Sequence, residues 1–181
     1  AMVNEEYLAQ IRGVKDAVSV PLTVKLSSPS SLSNFARDAQ AAGADGLVLF
    51  NYFQGAEIDL DKLELKSQAR LTTSSDLRVP LRWTGILRGQ LPDLSLAVTS
   101  GVWTWEDVAK ALLVGANVAC TTSAVIAKGP GAVTEMLDGL RRWLEENEYD
   151  SVSQMQGSMS AASVSNPAEF EREQYMKVIT S

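Results

Sequence analysis

Histidine is absent from all 181 residues. Imidazole acid–base chemistry, histidine-based nucleophile triads and histidine metal sites are therefore excluded from the outset. A single cysteine, Cys120, leaves no disulfide within one chain, and the two scarcities together exclude an ordinary zinc centre. So sparing a use of thiols fits a cytoplasmic protein, which is the expected location. Positive charge is also short: 16 basic residues stand against 22 acidic ones, a net charge of −6, so neither nucleic acid nor an anionic membrane is expected as partner. No apolar run approaches the roughly 20 residues of a membrane span. The opening residues AMVNEEYL have neither the basic segment nor the apolar core of a signal peptide. What is present is ordinary, with 45% hydrophobic and 21% charged residues, enough for a domain with a real core.

Residues 97–131, AVTSGVWTWEDVAKALLVGANVACTTSAVIAKGPG, organise the chain. A strand over 94–99 ends in Thr99-Ser100-Gly101. Thr104 then caps a helix, with Asp107 three positions on as the partner of a capping box. Val108, Ala111 and Leu112 form its apolar face and Gly115 stops it. A second strand, over 118–123, contains Cys120 and leads into Thr122-Ser123-Ala124 before another helix. Two neighbouring strand ends with free backbone N–H groups and small side chains either make a phosphate cradle or are simply tight turns. The stretch carries no arginine, so a bound anion there would be met by oriented donors rather than by a guanidinium.

The flanking segments repeat the same units. Residues 4–18 read as a helix capped by Asn4, with Leu8, Ile11, Val14 and Val18 on one face. A short strand over 22–26 holds Lys25 and leads into a loop over 27–30. A helix over 31–42 follows, then the apolar strand GLVLF over 46–50, ending at Asn51. Residues 52–74 form an excursion in which Ile58, Leu60, Leu63 and Leu65 suggest a hairpin or extended arm. Ser74 or Ser75 caps a helix running toward Leu91, and residues 132–147 form a strongly amphipathic one. The half-domain so defined covers residues 1–150. Residues 151–181 add a loop over 151–166 and a short helix opened by Pro167, packed on the same domain.

The segments AAGADGLVLFN and LVGANVACTTS each carry a helix end, a stopping glycine and a buried strand. This repetition means parallel strands joined by right-handed crossovers. Four strands can be counted, whereas a whole eight-fold barrel takes about 250 residues. The expected class is α/β, half of a TIM barrel, with four parallel strands and flanking helices.

PLTVKLSSP, ADGLVLFN, LAVTSGV and ACTTSAVIAKGP resemble, in order and spacing, the second half of dihydroorotate dehydrogenase-like flavoproteins, from about residue 5 to residue 177. The resemblance implies an FMN-binding β/α barrel of which this chain matches strands five to eight. Lys25 falls where the family has a lysine near the flavin ring, and Asn51 where it has an asparagine facing flavin and substrate. A lysine on a buried strand needs an anionic partner, while one at the barrel mouth is simply solvated. Asn51 also suits an ordinary strand-end turn. Thr99, Ser100 and Gly101 match the phosphate turn after strand seven, with Ser100 in place of its first glycine. Thr122 and Ser123 match the turn after strand eight. The family's catalytic base lies after strand four, which has no counterpart here, so no catalytic residue is assigned. FMN, or phosphate or sulfate in its place, is the expected ligand.

Four strands of a barrel leave edges at 22–26 and 118–123 with unpaired backbone groups. A homo-oligomer, in which two copies close one barrel, or a separate N-terminal half-barrel is the expected partner. An interaction module without any ligand is the remaining alternative.

Overall fold

Alternating rows of leucine and valine against small or polar residues decide how the central sheet is built. In the computed structural model, residues 2–27, 31–51, 57–66 and 70–171 are described. In chain order they form α1 (Met2–Ala17), β1 (Thr23–Leu26), α2 (Leu32–Ala41), β2 (Gly46–Leu49), β3 (Glu57–Asp59), β4 (Glu64–Lys66), a 3-10 turn (Ser74–Leu77) and α3 (Arg78–Gln90). There follow β5 (Ser95–Val98), α4 (Trp105–Leu113), β6 (Val118–Ala119), α5 (Ser123–Lys128), α6 (Gly131–Glu146), α7 (Val152–Met155) and α8 (Ala168–Glu171). Strands β1, β2, β5 and β6 pair in that order, all parallel, and β3 with β4 makes a separate antiparallel hairpin. The protein is therefore an α/β half-barrel, and β1 and β6 are its edges as the sequence implies.

Register separates the two faces of the sheet. One row runs Val24, Leu47, Leu96 and the next but one Leu26, Leu49, Val98, Ala119. These side chains point to the helices: Leu47, Leu49 and Leu96 are fully buried in a cluster with Leu8, Ile11, Phe35 and Leu87, and Val98 in a second one with Leu77, Val102 and Ala111. The intervening rows carry Thr23, Gly46, Ser95 and then Lys25, Val48, Ala97, Val118, which face the other way. GLVLF is thus leucine-lined on one side only. Two valines at most are large apolar groups on the open face, and Val118 is 52% exposed. At roughly 1.5–3 kcal/mol per fully buried side chain, the open face costs little against a typical stability of about 5–15 kcal/mol. Apolar exposure is concentrated instead on the hairpin, where Ile58, Leu60, Leu63 and Leu65 are all exposed.

Several boundaries differ from the sequence reading. Helix α1 begins at Met2, so Asn4 lies inside it rather than capping it, and Val14 and Val18 are exposed. Strand β6 is two residues long, because after Ala119 the chain leaves the ladder: Cys120 N–H still reaches Val98 O, but Thr121 Oγ1 turns to donate to Val102 O. Thr73, not Ser74 or Ser75, caps the helical run before α3, its N–H donating to Asp76 Oδ2 at 2.6 Å. The 151–166 loop contains the α7 turn, capped by Ser151, which drives Met155 into the core beside Leu112 and Leu140. Its Gln156 amide donates to Ala116 O. The loop over 28–30 and the continuation of the last helix beyond residue 171 lie outside the described residues. Within them, α8 packs on α3 through Phe170 against Gly85. Among the described residues no helix is long and apolar enough to cross a membrane.

One ion pair ties α1 to the sheet. Asp45 accepts from Lys15 Nζ at 2.7 Å and from Leu22 N–H at 2.6 Å. The Lys15 hydrogen bond foremost, then that of Leu22, holds the Asp45 carboxyl below its ordinary 3.8. A carboxylate with a lowered folded value stabilises fully above its unfolded pKa and loses that contribution as pH falls through the folded one. The acid-side fall in melting temperature below about pH 4 is therefore expected to be shallower in Asp45→Asn than in wild type, measured by circular dichroism. Identical slopes would contradict the linkage.

Candidate functional site

Because β1, β2, β5 and β6 are parallel, the residues after each strand meet at one rim of the sheet, where β/α barrels build their sites. A cleft of about 260 Å³ opens there, and all seven residues singled out from the sequence line it. Lys25 comes from the end of β1 and Asn51 from just past β2. Thr99, Ser100 and Gly101 follow β5, and Thr122 and Ser123 cap and open α5. The ladder holds these turns in place: Asn51 N–H donates to Leu26 O and Thr99 N–H to Leu49 O.

Lys25 is exposed rather than buried. It stands on the open face of an edge strand, so burial does not force an anion upon it; its position in the cleft is what makes it available to one. Ser100, which the resemblance sets where the family has a glycine, adopts left-handed backbone at φ +71°, with its hydroxyl donating to Phe50 O at 3.1 Å. That side-chain bond offsets part of the steric cost of the conformation. Gly101 follows at φ +92°.

Residues 70–77 lie across the Gly101 and Ser123 turns as a strap, and sequence reasoning missed them. Thr72 is the centre of the strap. Its N–H and its Oγ1 both donate to Ser123 Oγ, at 3.0 and 2.9 Å, and its Oγ1 accepts from Gly101 N–H at 3.3 Å. Its carbonyl accepts from the Trp103 indole N–H. Ser74 Oγ donates to Asp107 Oδ2 at 2.6 Å, and the same carboxylate oxygen accepts from Trp103 N–H and Thr104 N–H. Asp107 thus completes the expected capping box of α4 and also anchors the strap.

The strap changes the electrostatics expected of the site. It brings Arg70 into the cleft lining, where the sequence reading finds no arginine nearby. Arg70 is loosely paired with Asp76 at 3.7 Å and is largely exposed, so its guanidinium is available to a ligand. Thr72 of the strap, through its Oγ1, also takes the Gly101 N–H, one of the donors expected for phosphate. Cys120 sits half-buried in the lining; burial pushes its thiol pKa up, and Lys25 offsets this in part. Among the described residues no carboxylate lines the cleft, which leaves a positive rim suited to an anion.

Known proteins of similar sequence carry one theme. Over 157 residues the chain is 28% identical to the catalytic subunit of dihydroorotate dehydrogenase B (NAD(+)) from Pyrococcus furiosus, covering 84% of this chain and 52% of that protein. The NAD-dependent dihydropyrimidine dehydrogenase subunit PreA of Escherichia coli is 27% identical over 157 residues, covering 81% and 38% respectively. The dihydroorotate dehydrogenase (quinone) of Nautilia profundicola is 26% identical over 163 residues, covering 86% and 44%. No family model matches the chain. The chain spans about half the length of the first of these relatives and less of the others. The resemblance read from the residues is borne out: this chain is similar to half of a dihydroorotate dehydrogenase-like protein, folded as half of a β/α barrel.

Proposed function

We propose that this chain is a dihydroorotate dehydrogenase-like half-barrel that binds the phosphate end of FMN, or a simple phosphate, at the rim cleft and does not oxidise dihydroorotate by itself. The observation that carries the reading is the convergence of Lys25, Asn51, the Thr99–Ser100–Gly101 turn and the Thr122–Ser123 turn on one cleft from four separate strand ends. The donor set suits a phosphate: two cations, Lys25 and Arg70, stand with hydroxyls and turn amides, and among the described residues no lining carboxylate opposes it. Lys25 and Asn51 are also the residues to orient a flavin ring. When bound, the flavin supplies the hydride acceptor that no side chain here can provide.

Proton abstraction is where the site falls short. The chain has no histidine. Among the described lining residues there is no carboxylate, and burial pushes the Cys120 thiol pKa up. A general base needs a pKa matched to the working pH and reach to the substrate. Among the described residues of the cleft, none meets both conditions.

A second reading is favoured by one observation. The edges β1 and β6 are open in a chain that spans about half of a relative's length, so a second copy or a complementary half-barrel pairing there would complete the barrel and supply further groups. The same preparation tests both readings. Titration of the isolated chain with FMN is expected to quench flavin fluorescence, and dihydroorotate-dependent dye reduction is expected to stay at the buffer level. Absence of flavin binding overturns the first reading. Turnover that survives repurification and is lost in Lys25→Ala overturns the claim of incompetence and favours the completed barrel.

A further inference from the structure

We infer that Thr72 is a positioning residue that makes the Ser123 hydroxyl an obligate donor to an anionic oxygen in the cleft; this rests on reading the cleft as an anion site. A hydroxyl offers two lone pairs and one proton. Both lone pairs of Ser123 are taken, one by Thr72 N–H and one by Thr72 Oγ1–H. Its proton is what it has left to give. Thr72 Oγ1 in turn accepts from Gly101 N–H, so a chain of donors runs from Gly101 through Thr72 to Ser123. Each bond in such a chain polarises the next, and the last donor is the strongest.

Proton counting supports the direction. The two hydroxyls own two protons and spend one between themselves, so one is left over. On Thr72 it would lie in a side chain that is only 7% exposed, already receiving the Gly101 amide. On Ser123, half-buried in the cleft lining, it points to where a ligand can accept it. Lys25 and Arg70 on the same rim favour an acceptor that carries charge. The Gly101 amide therefore serves the anion indirectly, by polarising Thr72, rather than by touching it.

The strap keeps its seat without this hydroxyl. The Trp103 indole holds the Thr72 carbonyl, Asp76 holds Thr73 N–H, and Asp107 holds Ser74 Oγ. Replacing Thr72 by valine keeps the side-chain shape and the backbone N–H but removes Oγ1. Ser123 then has an empty lone pair and can turn its proton away from the cleft.

The test compares FMN with riboflavin, which has the same ring and no phosphate, by fluorescence quenching on folded protein checked by its melting curve. Thr72→Val and Ser123→Ala are each expected to weaken FMN binding about tenfold, the scale of one hydrogen bond to a charged group, while leaving riboflavin binding unchanged. Thr72→Ser is expected to bind FMN as wild type does, and the double variant to lose no more than either single one. If Thr72→Val binds FMN like wild type, or loses both flavins alike, the inference is overturned while the cleft reading stands. If wild type binds riboflavin as tightly as FMN, the phosphate reading itself fails and this inference with it. Should Thr72→Val not fold, an unchanged FMN-to-riboflavin ratio in Ser123→Ala overturns the inference equally.

Discussion

Gly101→Ala is expected to destabilise the protein by about 2–5 kcal/mol, the sum of a left-handed backbone penalty and an overpacked contact. The residue sits at φ +92°, where a side chain is strained whatever the space. There is also no space. A Cβ at this position would lie 2.4 Å from Leu77 N, 2.8 Å from Thr73 O and 2.9 Å from Leu77 Cα. All three are backbone atoms of the strap and the turn before α3, so nothing short of lifting the strap relieves the contact. Total stabilities are typically about 5–15 kcal/mol, so the loss takes much of the lower range. Urea unfolding is the measurement, with Gly131→Ala as control, since a Cβ at Gly131 meets nothing within 4 Å. A midpoint as high as that of wild type would mean that the strap does not press on the turn.

Asp107→Ala should cost about 2–4 kcal/mol, from a lost helix cap and from buried donors left without a partner. Asp107 is 2% exposed and gathers Ser74 Oγ, Trp103 N–H and Thr104 N–H on one oxygen. Lys110 stands 3.9 Å from the other oxygen and is mostly exposed, so that contact adds little. Because the carboxylate joins α4 to the strap, its removal is expected to speed hydrogen exchange at residues 72–77 more than elsewhere. A loss of stability spread evenly, with the strap as protected as before, would reduce Asp107 to an ordinary cap. Asn at this position keeps an acceptor oxygen and is expected to recover part of the loss.

What the residues reveal and what they hide divides along the range of the interactions. Helices α2, α4 and α6 are legible because their apolar repeat and their stops are local. Strands β2 and β5 are legible for the same reason. That four strand ends gather at one rim follows from parallel topology, which the repeated glycine-to-strand units imply, whereas Lys25 and Asn51 are singled out by the resemblance alone. The length of β6 is not legible, since Cys120 and Thr121 look like strand residues and only the position of Val102 O turns Thr121 away. The strap is hidden altogether. Thr72 meets Ser123 across 51 residues, and no periodicity in ARLTTSS marks a segment that folds back. Its one local sign is the pair Thr73 and Asp76, whose capping box shows that a helical turn begins one residue earlier than the serines suggest. The apolar balance of the open face also needed the register, because GLVLF shows its leucines and hides which side they take.

The central claim is that an anion is held by the two turns at the rim, and amide chemical shifts of the labelled chain during titration with FMN test it most directly. Shifts are expected to concentrate at Ser100, Gly101 and Val102, at Thr122, Ser123 and Ala124, and at Lys25 and Asn51, with inorganic phosphate moving the turn residues and Lys25 but not Asn51. Saturable binding that leaves these turns unmoved and shifts another surface, such as the hairpin β3–β4, would contradict it.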